Sequence, residues 1–499
     1  MKDRHLQDPP EKLNEKQHLS RGFVWLGAAS SATAIIDGLS SLIIVWYLTR
    51  EEMGLATLSW AVAVFIEAFN GLGIGMALVQ AKKLSERQRS FCHTYAVAFS
   101  VAATSLTCLA APFISSFYES PELTPMICVS ALKLLFVGAC LVPLQSLNRN
   151  LEFSKVSIIL TAATFFAACL RIGLAAAGAG AWAPVIGNTA HGVFVFLGVL
   201  IAYRPWPRPS LAWRESRGLI TFGWKLTFSG AIYQFYRNAD FFLVGRFLGT
   251  ELLGLYRVAY DLAMVPALMI LNVVNRASFP VYSRLSGDLH RLLKTFTWNV
   301  RNLTLLILPL CLAIGFAGPS ILQTLGRTSQ WAEAGTAVYI LSIAACLRCL
   351  DQIFPQLFAA AGHATYSLLD SLFSAIVFCT LFTVSLMLFG DTYNIVAVCV
   401  AWPIGYLILF IPLWLLTRRV LPIHLRPFLV SVFKDPLRGT LITATPLLAA
   451  NLLLSHFQAP PWTSLTVLFS VATATYLLWL RFDLKVSIKT LLRSTKTTD

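Results

Sequence analysis

Charge is what this sequence has least of. Only 13% of its 499 residues are Asp, Glu, Lys or Arg, against about 25% in water-soluble domains. That shortage, set beside 57% hydrophobic residues, excludes an ordinary soluble globule. Long polar stretches are missing as well. No polar run approaches the ~50 residues that a separate catalytic domain needs. The signatures HExxH, GxSxG and the Walker A loop are absent, as is a cytoplasmic cluster of paired aspartates of the glycosyltransferase kind. The reading is therefore not an enzyme, with no cofactor and no resident metal. Without a nucleotide site, active transport has to draw on an ion gradient or on the substrate gradient. Cys346 and Cys349 form a CxxC, but no second pair follows it. The ten cysteines, scattered through apolar segments, read as small hydrophobes.

What the chain has instead is apolar runs long enough to cross a bilayer, about twenty residues each. About fourteen are expected: 23–47, 54–80, 92–117, 122–147, 154–178, 180–203, 219–247, 252–280, 298–325, 331–361, 365–389, 393–416, 436–456 and 461–481. The fold class is thus all-α and polytopic. The net charge of +15 is explained by its placement. Basic residues crowd one side: Lys2 to Arg21, Lys82 to Arg89, Arg149 and Lys155, Arg204 to Arg217, Arg276 to Arg301, Arg418 to Arg438, and Arg481 to Lys496. The opposite side holds Arg50, Arg246 and Arg327. This is the positive-inside pattern, with both termini cytoplasmic and the basic loops meeting anionic lipid. Nucleic acid is not an expected partner. The polar opening, without the short apolar region of a signal peptide, is read as a cytoplasmic tail.

A short internal repeat organises the spans. Leu48, Glu51, Gly54 and Leu55 recur two hundred residues later as Leu248, Glu251, Gly254 and Leu255, each copy following the first span of a six-span set. An even number of spans between copies gives two lobes of parallel orientation. The expected organisation is 1–21 tail, 22–204 first lobe, 205–218 linker, 219–416 second lobe, 417–435 basic loop, 436–482 two further spans and 483–499 tail. Chance similarity of two short turns is the alternative reading.

Ionisable residues inside these spans mark function, because a charge at the bilayer centre costs ~2.5–3.5 kcal/mol even on the mild insertion scale. At 100° per residue, Lys225, Ser229, Tyr233, Tyr236, Arg237 and Asp240 share one sector of their span. Asp37 lies among Ser30, Thr33, Ser40 and Ser41, Glu67 shares a face with Trp60, Asn70 and Gly71, and Arg171 continues a line of Ser157, Thr161 and Thr164. Lys133, Arg257 with Asp261, Arg348 with Asp351, and Asp370 complete the set. Two plainer readings stand beside the functional one. Arg257–Asp261 and Arg348–Asp351 have the spacing to neutralise themselves within one helix, and Arg246 and Asp37 lie near enough to span ends to snorkel. Lys133, Arg171 and Lys225 have no acid three or four residues away, which leaves an anion path or ion pairs across helices. Arg237, Lys225, Arg171, Lys133 and Arg348 are the candidate substrate-binding cations, because Arg and Lys pair strongly with phosphate oxygens. Asp240, Asp37, Glu67 and Asp351 are the candidate coupling-ion residues.

The chain also resembles a known group of transporters. The stretch Asp240 to Gly249 (DFFLVGRFLG), then Leu253 to Ala263 (LGLYRVAYDLA), Pro266 and Phe279-Pro280, is similar to the second-lobe opening of the polysaccharide-transporter branch of the multidrug/oligosaccharidyl-lipid/polysaccharide flippase superfamily. Tyr47-Leu48 to Gly54, Gly71-Leu72-Gly73, Ala77-Leu78-Val79-Gln80 and Asn148 to Phe153 (NRNLEF) match the first lobe, and the likeness covers roughly residues 20–416. The resemblance implies two lobes rocking in alternating access around a central cavity. The cargo it implies is a polyprenyl-diphosphate-linked oligosaccharide, moved from the inner to the outer leaflet of a bacterial cytoplasmic membrane. Arg237, Asp240, Asp37 and Arg171 would line the path. Membrane lipids, a proton or sodium ion, and a polysaccharide polymerase or export machinery are the implied partners. Rival readings are a cation or drug antiporter of the same superfamily, a peptidoglycan-precursor flippase, and a membrane-embedded polymerase or ligase. The last requires a sizeable outer loop, and the longest expected here is near Gly326–Gln330.

Overall fold

The computed structural model describes residues 12–69, 74–75, 78, 84–213, 216–218, 220, 231–232, 234–325, 329–457 and 459–482. Lys225, Ser229, Tyr233, Asn70, Gly71 and Arg327, singled out above, lie outside the described residues.

The principal helices are α1 (Lys12–Val45), α2 (Arg50–Glu67), α3 (Glu86–Phe117), α4 (Leu123–Arg149), α5 (Phe153–Ala176), α6 (Trp182–Ala202), α7 (Ala239–Leu285), α8 (Leu289–Thr324), α9 (Gly335–Asp351), α10 (Ile353–Ala360), α11 (Ala364–Tyr393), α12 (Ile395–Val420), α13 (Leu425–His456) and α14 (Pro461–Phe482), with a 3₁₀ turn at Ser329–Ala334. No strand occurs among the described residues, as the bilayer requires, since a helix satisfies its own backbone where water is absent. Eleven helical stretches among them are long and apolar enough to cross a membrane, and Ala29–Val45 is a shorter apolar helix. A chain so built is a multi-pass membrane protein. Prolines within α3, α4, α8, α12 and α13 fit this setting, because neighbouring helices re-satisfy the freed carbonyls.

Helix ends carry local explanations. Ser85 caps α3 through a reciprocal capping box with Gln88, and Asp288 accepts from the Arg291 amide at the start of α8. The expected turn between spans seven and eight is a break inside α7 at Gly249, whose φ of 80° suits a residue without Cβ. The stretch expected as a basic loop, 417–435, is mostly helix. α12 runs to Val420 and α13 begins at Leu425, because Arg and Lys are good helix formers whatever their charge. Likewise span 331–361 is interrupted at Gln352, between α9 and α10.

The chain divides into two compact units. Unit 1 comprises Met1–Ile44 and Ser59–Ala231, and unit 2 comprises Val45–Leu58 and Ile232–Asp499. In unit 1, α4 packs closely on both α3 and α6, and α5 on α6. Ser59 shares a hydrogen bond with Ser130 at 2.7 Å, and the Thr104 and Thr189 hydroxyls donate to the Ala131 and Val129 carbonyls. Such short polar links suit membrane helices, which lack a hydrophobic drive to associate. In unit 2, α8 packs on α9, α13, α7 and α14, and α11 packs on α12.

The internal repeat has a physical role within unit 2. A side chain on Gly54 would collide with the Thr250 carbonyl, and one on Gly254 with the Arg50 carbonyl. Arg50 and Thr250 occupy the same place in the two copies, so each copy's glycine receives the other's backbone. Arg50 secures the crossing. Its Nε donates to the Gln330 carbonyl at 2.7 Å, its Nη1 donates to Glu333 at 2.9 Å and it lies 3.6 Å from Glu251. Gln330 in turn donates to the Leu48 carbonyl at 3.0 Å. Gly254→Val should therefore overpack the crossing, at a cost of about 1–3 kcal/mol. The expected result is a clear loss of monodisperse protein by fluorescence-detected size exclusion, with Gly287→Ala, which has open space around it, unaffected. Equal behaviour of the two variants would contradict the crossing.

Candidate functional site

The polar residues of unit 1 converge on one strip of α6, Gly187 to Gly192. Lys133 on α4 donates from Nζ to Glu67 of α2 at 3.0 Å and to Asn188 of α6 at 3.3 Å. Arg171 on α5 donates to Asp37 of α1 at 3.1 Å and to the Ser40 hydroxyl. Both cations need the strip's glycines. A Cβ on Gly192 would stand 2.9 Å from Lys133 Cγ, and one on Gly187 would stand 2.7 Å from Arg171 Cβ. The missing side chains make slots for the aliphatic stems, while the charged heads reach acids on other helices. Between the slots, His191 Nε2 lies 3.4 Å from the Thr164 hydroxyl. Lys133 and Arg171, expected without near acids in their own helices, are paired across helices. Glu67 and Asp37 are the partners that the sequence does not place. Arg171 is largely buried, whereas Asp37 is 60% exposed, so this pair has one foot outside the packed interior.

Unit 2 solves the same problem with aromatic rings. Asp240, fully buried, accepts from the Tyr256 hydroxyl at 2.7 Å, and the Trp402 indole donates to that hydroxyl at 2.9 Å. The relay thus links both sides of the Gly249 break to α12. Arg348, 1% exposed, donates to the Tyr260 hydroxyl at 2.6 Å and lies 5.2 Å from the centroid of the Trp402 ring. Guanidinium over an aromatic face gains attraction where hydration is lost. Phe378 and Phe382 close around Trp402 at 4.8 and 5.0 Å. Gly405 leaves the room that Phe378 takes.

Arg257 and Asp261 pair within α7 at 2.8 Å, the self-neutralising arrangement. Asp351 and Asp370 are both buried, and Asp351 Oδ1 has no hydrogen-bond partner. Arg237 sits partly buried just before Asn238. Lys225 lies outside the described residues. The ten cysteines are free thiols, Cys346 and Cys349 among them.

Tyr256, Tyr260, Trp402, Asn188 and His191 belong to these clusters and were not among the sequence candidates. Asn188 and His191 carried a signal, being polar residues three apart in the largely apolar α6. Trp402 carried none, since its partner lies 146 residues away.

Comparison with known proteins gives these clusters a context. A family described as "Polysaccharide biosynthesis protein" matches residues 43–336. The chain is 24% identical to the teichuronic acid biosynthesis protein TuaB of Bacillus subtilis (strain 168), covering 86% of this chain and 87% of that one. It is 21% identical to the lipopolysaccharide biosynthesis protein WzxC of Escherichia coli (strain K12), over 70% and 71% of the two chains. Among solved structures, the lipid II flippase MurJ in an inward closed conformation shares the fold, with a TM-score of 0.72 at 12% identity, covering 93% of this chain and 99% of that one.

A double-mutant cycle tests the unit 1 pairing. Lys133→Met and Glu67→Gln should each lower the melting temperature of the purified protein. The double variant should recover part of the loss, with a coupling of about 0.5–3 kcal/mol. Strict additivity would contradict a direct pair.

Proposed function

The chain belongs to the polysaccharide biosynthesis protein family, within the multidrug/oligosaccharidyl-lipid/polysaccharide flippase superfamily, and from that premise we propose that it moves a polyprenyl-diphosphate-linked oligosaccharide across the cytoplasmic membrane. The direction is from the inner to the outer leaflet, in the service of a surface polysaccharide. Transport is by alternating access, in which one polar site faces first one leaflet and then the other. Both termini lie in the cytoplasm, as the distribution of basic residues supports. The relatives are named for polysaccharide biosynthesis, and flipping rather than catalysis is the task this chain performs.

The observation that carries the reading is the pair of ion bridges along α6. Lys133 and Arg171 are cations held inside apolar helices, each facing a single carboxylate. A diphosphate brings more oxygen acceptors and more negative charge than either acid, and charge-assisted bonds to phosphate are among the strongest available to Lys and Arg. The cargo would take the cations over from Glu67 and Asp37. Arg237 and Arg348 are the cations that unit 2 would offer, and Lys225 is a further candidate from its place in the sequence. The released carboxylates would need a new counter-charge, and a proton or a sodium ion supplies it. Glu67 and Asp37 are then the coupling residues of unit 1, and Asp240 and Asp351 those of unit 2. A polysaccharide polymerase or export machinery would receive the flipped cargo.

One observation favours a second reading. The buried acid Asp240 beside Tyr256 and Trp402, with Asp351 and Asp370 also buried in unit 2, suits an organic cation, as in a drug antiporter.

Mass spectrometry of polyprenyl-diphosphate glycans in cells depleted of the protein tests the proposal. One lipid-linked oligosaccharide should accumulate and be cleared by wild type. Lys133→Met or Arg171→Met should clear it roughly ten- to hundredfold less well, the effect of losing a ~1.5–3 kcal/mol charged hydrogen bond. No accumulation of any such glycan, together with loss of dye efflux on depletion, would overturn the flippase reading in favour of the antiporter.

A further inference from the structure

Unit 2 contains a second feature that the polar clusters do not use. A cavity of about 770 Å³ lies among α8, α9, α12 and α13, walled by residues such as Leu308, Ile343, Leu347, Trp414, Phe428 and Leu437. Its few hydroxyls are mostly spent. Ser342 donates to the Val338 carbonyl at 2.8 Å and Thr440 to the Pro436 carbonyl at 2.7 Å. A cavity so lined offers nothing to a sugar and little to water. At membrane depth, its natural occupant is a hydrocarbon chain.

The dimensions and the ends identify the chain's owner. On α13 the lining runs from Leu425 to Thr440, which at 1.5 Å per residue spans ~22 Å. Half of the ~30 Å hydrocarbon core is ~15 Å, so the groove accepts an acyl chain over its full depth in one leaflet. At one end Phe428 stacks on Phe296 at 6.1 Å and meets Trp414 at 5.8 Å. The same end is basic. Arg418 continues the α12 stripe of Trp414 and Leu415 by one turn, and Arg419, Arg426 and Lys434 follow across the α12–α13 junction, all exposed. No acidic residue occurs from Thr417 to Lys434, and the next, Asp435, is engaged by Arg301 at 2.6 Å. A hydrophobic groove ending in uncompensated cations is complementary to a lipid with an anionic headgroup.

The cations assigned above to the cargo are elsewhere. On α9 the groove is lined by the stripe Tyr339, Ile343, Leu347 and Leu350, whereas Arg348 turns to Tyr260 and Trp402. We infer that this groove is a binding site for one resident anionic phospholipid, its acyl chain between α9 and α13 and its phosphate at Arg418, Arg419 and Arg426. The inference stands apart from the cargo, because none of those residues belongs to the polar clusters.

Native mass spectrometry of the full-length protein, released from nanodiscs of equal phosphatidylglycerol and phosphatidylethanolamine, tests it. Wild type should retain one phosphatidylglycerol, favoured roughly tenfold over phosphatidylethanolamine. Ile343→Trp fills the groove from a half-exposed position and should lose the retained lipid. The surface triple variant Arg418→Glu, Arg419→Glu, Arg426→Glu leaves the lining intact and should lose the preference for phosphatidylglycerol. Retention unchanged in both variants would overturn the site. So would displacement of the phospholipid by an added polyprenyl diphosphate at equal concentration, which would make the groove a cargo site.

Discussion

Taking a charged side chain out of water costs several kcal/mol, and the interior of each unit is arranged around meeting that cost. Lys133 meets it with Glu67 and Asn188, Arg171 with Asp37 and Ser40. Arg348 meets it with a tyrosine hydroxyl and an indole face, and Asp240 with a tyrosine that is itself held by that indole. The glycines follow from the same constraint. Gly187 and Gly192 exist as slots because a Lys or Arg stem has to lie flat on α6 to bring its head to an acid on another helix. A fold that needs these pairs constrains where its helices run, since the heads are fixed to within a hydrogen bond.

The two units answer with different chemistry, and the difference bears on function. Ion pairs such as those of unit 1 are open to competition, because phosphate oxygens bond Lys and Arg strongly. The aromatic setting of unit 2 is less exchangeable, because Tyr256, Tyr260 and Trp402 are packed among Phe241, Phe378 and Phe382. Asp351 is the exception there, buried with one carboxylate oxygen unpartnered.

Much of the fold was legible because the bilayer imposes a single rule on sequence: spans must be apolar and helical. Runs such as 365–389 and 393–416 announce α11 and α12 within a few residues. The repeat at Leu48 and Leu248 was legible as a pattern, but its meaning was not, since only the crossing reveals why Gly54 and Gly254 recur. The basic stretch 417–435 misled because charge was taken for a loop, whereas α13 begins at Leu425 and lines a cavity with Phe428, Leu429 and Phe433. For the site, the spacing rules of a single helix found Arg257–Asp261 and were blind to pairs across helices. Lys133 and Glu67 are 66 residues apart and Arg171 and Asp37 are 134 apart. No periodicity connects them.

In the proposed function the protein itself carries a prenyl-diphosphate glycan between leaflets. Purified protein in liposomes containing a prenyl-diphosphate oligosaccharide tests it most directly, by following how much glycan an added membrane-impermeant glycosidase reaches over time. Beginning with the glycan accessible in one leaflet only, wild-type protein should equilibrate or invert that distribution, and Lys133→Met should do so far more slowly. A distribution that stays fixed in the presence of folded wild-type protein, with an ion gradient of either kind applied, would contradict the account.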